Sequence, residues 1–190
     1  AVVNLGCGLN MTGRMADNGT CHIYNLDFPE VIKSRTELIP TGEREENIAC
    51  DLNDFSWMDR IDAASGAVLY AAGVFHYFTE QQIKDMVVAM ADKFPGGRLV
   101  FDAVGKFGRD VLMKGTLKNM GMNDVSGLFC VKDESDLKGW SSKVKLMTKK
   151  SYMQGYYILD DPNIRGIHRF LAKLCDSFAK MYIYQMEFSE

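Results

Sequence analysis

Gly6-Cys7-Gly8 follows directly on a short apolar run, Ala1-Val2-Val3-Asn4-Leu5. Glycine lacks a Cβ, so a glycine-x-glycine turn adopts backbone angles closed to other residues and lets a ligand lie on the main chain. Asp27 closes a second largely apolar stretch, residues 22–27, and stands 19 positions after Gly8. Nucleotide-binding α/β units place an acid at about that distance to accept hydrogen bonds from ribose hydroxyls. Asp51-Leu52, after residues 47–50, is a second acid at the end of an expected strand. A glycine-x-glycine turn alone is also an ordinary tight turn; the acid at nucleotide spacing favours the ligand loop. A dinucleotide site needs a third glycine where this chain has Met11, which disfavours a pyrophosphate-binding helix and an NAD-dependent oxidoreductase. A cofactor with ribose but no pyrophosphate fits better, S-adenosylmethionine foremost.

Chemistry on such a donor is an in-line displacement, so positioning of the acceptor oxygen does most of the work. A carboxylate acceptor is already an anion, whereas a phenol or alcohol benefits from a group that takes its proton. His76 and Tyr77, just beyond an apolar stretch at residues 67–72 and Gly73, are the candidates for that role, with Asp102 behind them. The simpler reading of His76 is a packed histidine beside two aromatics, because a single histidine without an evident partner is weak evidence for a base. His22 and His168 read as structural. The three histidines and five cysteines show no metal-ligand spacing, so no metal site is expected.

The 190 residues are 47% hydrophobic and 25% charged, as in one compact domain with a full core. A formal charge of −3 offers no electrostatic footprint for nucleic acid. No apolar run reaches the roughly 18 residues that span a bilayer. A cytoplasmic protein with a small-molecule partner is therefore expected, its scattered cysteines serving as small apolar residues. The chain starts without methionine, almost inside its first strand. The expectation is a single domain over residues 1–190 that lacks an N-terminal lid.

Strands and helices alternate around these residues. A brief helix is expected over residues 9–18, with Met11, Met15 and Ala16 apolar. Pro29 and Glu30 open a second, with Val31, Ile32, Leu38 and Ile39 inward. Residues 43–46 read as a solvated loop. Phe55, Trp57 and Met58 serve either as a plug over the core or as a wall for an adenine ring. Thr79 and Gln82 form a capping box for a helix that buries Ile83, Met86, Val87, Met90, Ala91 and Phe94. Val111, Leu112, Leu117 and Met120 suggest a further helix. Ile164, Ile167, Phe170, Leu171, Leu174 and Phe178 give an amphipathic helix expected to turn them inward. Seven strands alternating with helices imply a mostly parallel sheet, with the ligand beyond the carboxyl ends of its strands.

Taken in order, Val3-Asn4-Leu5-Gly6-Cys7-Gly8-Leu9, Tyr24-Asn25-Leu26-Asp27-Phe28-Pro29-Glu30-Val31-Ile32, Asp51-Leu52 with Ser56-Trp57, Ala72-Gly73-Val74 with Tyr77-Phe78-Thr79-Glu80, and Phe94-Pro95-Gly96 with Leu99-Val100-Phe101-Asp102-Ala103 resemble the leucine carboxyl methyltransferase family, in its tetracenomycin-synthesis O-methyltransferase branch. The resemblance implies a Rossmann-like class I methyltransferase fold: seven strands, one of them antiparallel and inserted between the fifth and sixth, with helices on both faces. It implies that Gly6, Cys7 and Gly8 line the methionine part of S-adenosylmethionine. Asp27, with Phe28 beside it, would hold the ribose, Asp51 and Leu52 the adenine, and Gly73 the sulfonium end. The function implied is methyl transfer to an oxygen of a small molecule. The family's usual Leu-Asp-Thr-Arg is Leu9-Asn10-Met11-Thr12 here, with Arg14 off register, and Ala72 replaces a common acid. These departures make a non-catalytic binding module the alternative.

Overall fold

The computed structural model describes residues 1–119, 121, 127–153 and 161–189. In chain order the strands are β1 (Val2–Leu5), β2 (Ile23–Asp27), β3 (Glu45–Ala49), β4 (Val68–Ala71), β5 (Arg98–Ala103), β6 (Val144–Ser151) and β7 (Tyr182–Phe188). They form one sheet in the order β3-β2-β1-β4-β5-β7-β6. The first five pair in parallel, and β7 runs antiparallel to both β5 and β6. The antiparallel strand expected between the fifth and sixth is thus β7. Strand order reverses between β1 and β4, which opens a crevice at their carboxyl ends.

Alternation along the strands sorts the two faces. Val3, Leu5, Leu26, Leu69, Ala71, Leu99, Phe101 and Met186 are all at most 2% exposed and form one core. That core meets helix α3 (Glu80–Lys93), whose Ile83, Met86, Val87 and Met90 are fully buried. Thr79 and Gln82 close the capping box as expected: the Gln82 amide donates to Thr79 Oγ1, and Gln82 Oε1 accepts from the Thr79 amide at 2.8 Å. Thr79→Ala removes one half of that exchange and is expected to cost about 1 kcal/mol in urea unfolding.

The opposite face carries an asparagine ladder. Asn4 donates to Asn25 at 3.3 Å, Asn25 to Asn47 at 3.2 Å, and Asn47 to Thr36 Oγ1 at 3.2 Å. Thr36 lies on helix α2 (Pro29–Leu38), so helices cover both faces.

Several local expectations are corrected. The helix after the glycine turn is the single turn Thr12–Met15 (α1), with Met11 40% and Met15 85% exposed. Gly13 is what packs there: a Cβ on it would lie 2.9 Å from Ile23 Cγ2, so a small residue rather than an apolar one meets the sheet. In α2 the buried side is Ile32 with Arg35, and Leu38 is exposed. Residues 43–46 are not wholly a loop, since Glu45 and Glu46 begin the edge strand β3. Glu45 tolerates strand burial because Arg14 Nε donates to it at 2.8 Å. Arg14 holds its carboxyl below the usual range, with burial opposing that effect.

Beyond β5 a π-helical stretch, Gly108–Met113, runs into α4 (Lys114–Asn119). Val111 there is exposed; Met120 and the side chains of Leu112 and Leu117 lie outside the described residues. A short α5 (Glu134–Lys138) precedes β6. Helix α6 (Gly166–Phe178) exists, but the other way round from the expectation. Ala172 and Asp176 are buried, while Ile167, Phe170, Leu171, Leu174 and Phe178 are exposed. The helix docks through a small side chain and a carboxylate that accepts the Met153 amide at 2.9 Å. Among the described residues no helix is long and apolar enough to cross a membrane.

Candidate functional site

Four strand ends bring the expected ligand residues to one edge of the sheet. The turn after β1 places Gly6 at φ +62° and Gly8 at φ +47°, the left-handed region that favours glycine. Asp27 at the end of β2 receives the Gly8 amide on Oδ2 and the Phe28 amide on Oδ1, each at 2.8 Å. The carboxylate therefore locks the turn while each oxygen keeps a lone pair for another donor.

A cavity of about 530 Å³ opens over this edge, within the range of small-molecule sites. Gly6, Asp27 and Phe28 form one wall; Cys50, Leu52 and Asn53, from the segment after β3, form the next. Ala72, Gly73 and Val74 close the opposite side, with Tyr77, Phe78 and Gln82 at the rim. Gly6, Asp27, Phe28, Leu52, Gly73 and Tyr77 thus meet as expected in one place. Cys7, Gly8, Asp51 and His76 stand outside the cavity lining. Cys7 is buried behind the turn, where burial pushes its thiol up to about 11. Asp51 accepts from the backbone and side chain of Asn53, both at 2.9 Å, and so shapes the wall through its neighbour.

Trp57 and Met58 are 1% and 3% exposed and belong to the core. Trp57 stacks on Phe94 with ring centroids 6.4 Å apart. Of their two open readings, the structure selects the plug. The cavity's apolar lining includes Phe28 and Leu52 and not Trp57 or Met58.

His76 has a partner that sequence spacing did not reveal. Its Nε2 lies 3.0 Å from Asp102 Oδ2, and Asp102 Oδ1 accepts the Gly73 amide at 2.6 Å. His76 is 6% exposed, and its Nδ1 is buried with no hydrogen-bond partner among the described residues. Burial pushes the Asp102 carboxyl up, but the bonds from His76 and Gly73 outweigh it and hold it below the usual range. A depressed carboxylate stabilises the fold above its unfolded pKa, near 4, and loses that contribution as pH falls through its folded value. Asp102→Asn is expected to cost ~1.5–3 kcal/mol at pH 7. In urea unfolding the gap to wild type should narrow below pH 4.

A second cavity, about 510 Å³, shares Ala72 with the first and is lined by Tyr70, Val100, Asp102, Tyr152, Met153 and Ile183. It adjoins the Gly73 end of the site. Residues that sequence reasoning passed over as site members are Cys50, Asn53, Val74, Phe78 and Gln82. They are ordinary loop and helix-start residues whose role comes only from the meeting of strand ends.

The leucine carboxyl methyltransferase family model matches residues 1–91, which hold the glycine turn, Asp27, the segment after β3 and the Gly73 loop. Over these residues the chain is similar to the leucine carboxyl methyltransferase family. The chain is also 29% identical over 104 residues to the tetracenomycin polyketide synthesis O-methyltransferase TcmP of Streptomyces glaucescens. That alignment covers 54% of this chain and 38% of TcmP, so the chain spans well under half the length of the curated relative it matches. Among solved structures, a DUF574 family protein from Streptomyces avermitilis superposes with a TM-score of 0.68 at 12% identity, over 100% of this chain and 75% of that one. The magnesium protoporphyrin IX methyltransferase of Synechocystis PCC 6803, solved with bound S-adenosylhomocysteine, gives 0.57 at 15% identity, over 99% and 73%. At these identities the likeness is one of fold, the class I methyltransferase arrangement.

Proposed function

We propose that this leucine carboxyl methyltransferase relative is the donor-binding domain of a cytoplasmic S-adenosylmethionine-dependent O-methyltransferase that methylates a hydroxyl or carboxylate of a small molecule in secondary metabolism. The observation that carries this reading is the cavity at the β1/β4 switch point, with a glycine floor, a carboxylate at ribose distance from it in sequence, and apolar walls. The one-turn α1 offers no helix for a pyrophosphate, which supports a mononucleoside cofactor over a dinucleotide.

In this reading Asp27 accepts the ribose hydroxyls, Phe28 and Leu52 enclose the adenine, and the turn at Gly6 carries the amino-acid tail. Cys7, Gly8 and Asp51 contribute by shaping backbone. Gly73 lies at the sulfonium end, and the adjoining cavity receives the acceptor. S-adenosylmethionine bound there would supply a methyl group to the acceptor oxygen, its carbon–sulfur bond breaking as the carbon–oxygen bond forms and a neutral thioether being left. Tyr77, at the rim, is the side chain that orients or deprotonates a phenolic acceptor. His76 acts through Asp102, holding the Gly73 amide, since its own ring is buried.

A binding module without turnover is the second reading. It is favoured by Ala72 in the cavity wall where the family commonly has an acid, and by Arg14, whose Nη2 donates to the Pro40 carbonyl at 2.8 Å and which pairs with Glu45, away from the site. Incubation with methyl-labelled S-adenosylmethionine and a panel of phenols and carboxylic acids separates the two. Label in an acceptor supports the enzyme; calorimetric binding of S-adenosylhomocysteine with no transfer across the panel supports the module. Absence of binding overturns both.

A further inference from the structure

Helix α2 buries a guanidinium beneath the glycine turn. Arg35 is 2% exposed, and its Nη1 donates to the carbonyl oxygens of Gly8 at 3.0 Å and Asn10 at 2.8 Å. Gly8 is therefore gripped at both ends, its amide by Asp27 and its carbonyl by Arg35. A buried cation ordinarily needs a hydrogen-bonded carboxylate to offset its desolvation. Arg35 donates to the Gly8 and Asn10 carbonyls and hydrogen-bonds the Cys7 thiol, while the acid of that turn holds the Gly8 and Phe28 amides. The positive charge is felt within the turn: burial raises the Cys7 thiol, and Arg35 is the first influence pulling it back. Arg14, the other guanidinium of this region, is committed to Glu45 and Pro40.

We propose that Arg35 is a positioning residue for the amino-acid tail of the methyl donor, fixing the turn at Gly8 and holding a positive potential under it that favours the tail's carboxylate. The inference rests on the reading of the cavity as the S-adenosylmethionine site. A buried charge behind a thin layer of main chain is screened far less than a surface one, so it acts without touching the ligand.

The test is calorimetric titration of two ligands: S-adenosylhomocysteine, and 5′-methylthioadenosine, which keeps the nucleoside and thioether but lacks the amino acid. Wild type is expected to bind the first at least tenfold more tightly. Arg35→Gln keeps a donor but removes the charge. It should weaken S-adenosylhomocysteine about tenfold, ~1.4 kcal/mol, and leave 5′-methylthioadenosine within about twofold. Arg35→Lys keeps the charge and should preserve the wild-type preference within about threefold, which keeps the idea testable if the glutamine variant unfolds. Equal losses for both ligands in Arg35→Gln, unchanged S-adenosylhomocysteine affinity, or loss of the preference in Arg35→Lys would each overturn the proposal. Wild type that binds both ligands equally overturns it while leaving the site reading intact; wild type that binds neither overturns both.

Discussion

Gly6→Ala is expected to weaken S-adenosylhomocysteine binding by about a hundredfold or more and to cost roughly 2–5 kcal/mol of stability. Two effects combine. Gly6 sits at φ +62°, where an alanine is strained by about 1–2 kcal/mol. A Cβ there would also lie 2.7 and 2.8 Å from the two Cγ atoms of Val74. Relieving such overpacking costs typically 1–3 kcal/mol. Val74 is β-branched and stiff, and it belongs to the same loop as Gly73. The clash therefore pushes the two walls of the cavity relative to one another. Gly8→Ala is the control: its φ is +47°, yet a Cβ there meets nothing within 4 Å. It should carry the strain without the clash and retain most of the affinity. Calorimetry with chemical unfolding of both variants checks the pair, and equal losses would contradict this account of Gly6.

Asp27→Ala should weaken the cofactor by roughly 1.5–3 kcal/mol through the lost charge-assisted acceptor for ribose hydroxyls. It should also lower stability, because the Gly8 and Phe28 amides, each 2.8 Å from this carboxylate, lose their acceptor. Asp27→Asn retains one acceptor oxygen and should fall between wild type and alanine in both measurements. An alanine variant that binds S-adenosylhomocysteine with wild-type affinity would remove Asp27 from the site.

What could be read from the sequence was whatever repeats at a structural period or sits at a strand end. The burial stripe of α3, its capping box, the glycine turn and Asp27 are of that kind, and each stands where expected. Periodicity identifies a stripe without saying what the stripe meets. That is why α6 came out reversed, with Ala172 and Asp176 as its docking side. Arg35 and Glu45 were hidden for a related reason. A charged residue within a polar helix or edge strand reads as solvated, and its burial becomes visible only when its partners arrive from elsewhere: two turn carbonyls for Arg35, and Arg14 for Glu45. Gly13 shows the converse, a residue with no side chain being the buried one of α1. His76 and Asp102 lie 26 positions apart, and only the pairing of β4 with β5 brings them together.

The central claim is tested most directly by a crystal structure of the chain grown with S-adenosylhomocysteine. The expected density has the ribose hydroxyls within hydrogen-bond distance of Asp27, the adenine between Phe28 and Leu52, and the amino-acid tail over the turn at Gly6. A cavity filled by protein side chains, or a nucleoside lodged away from Asp27, would contradict the account.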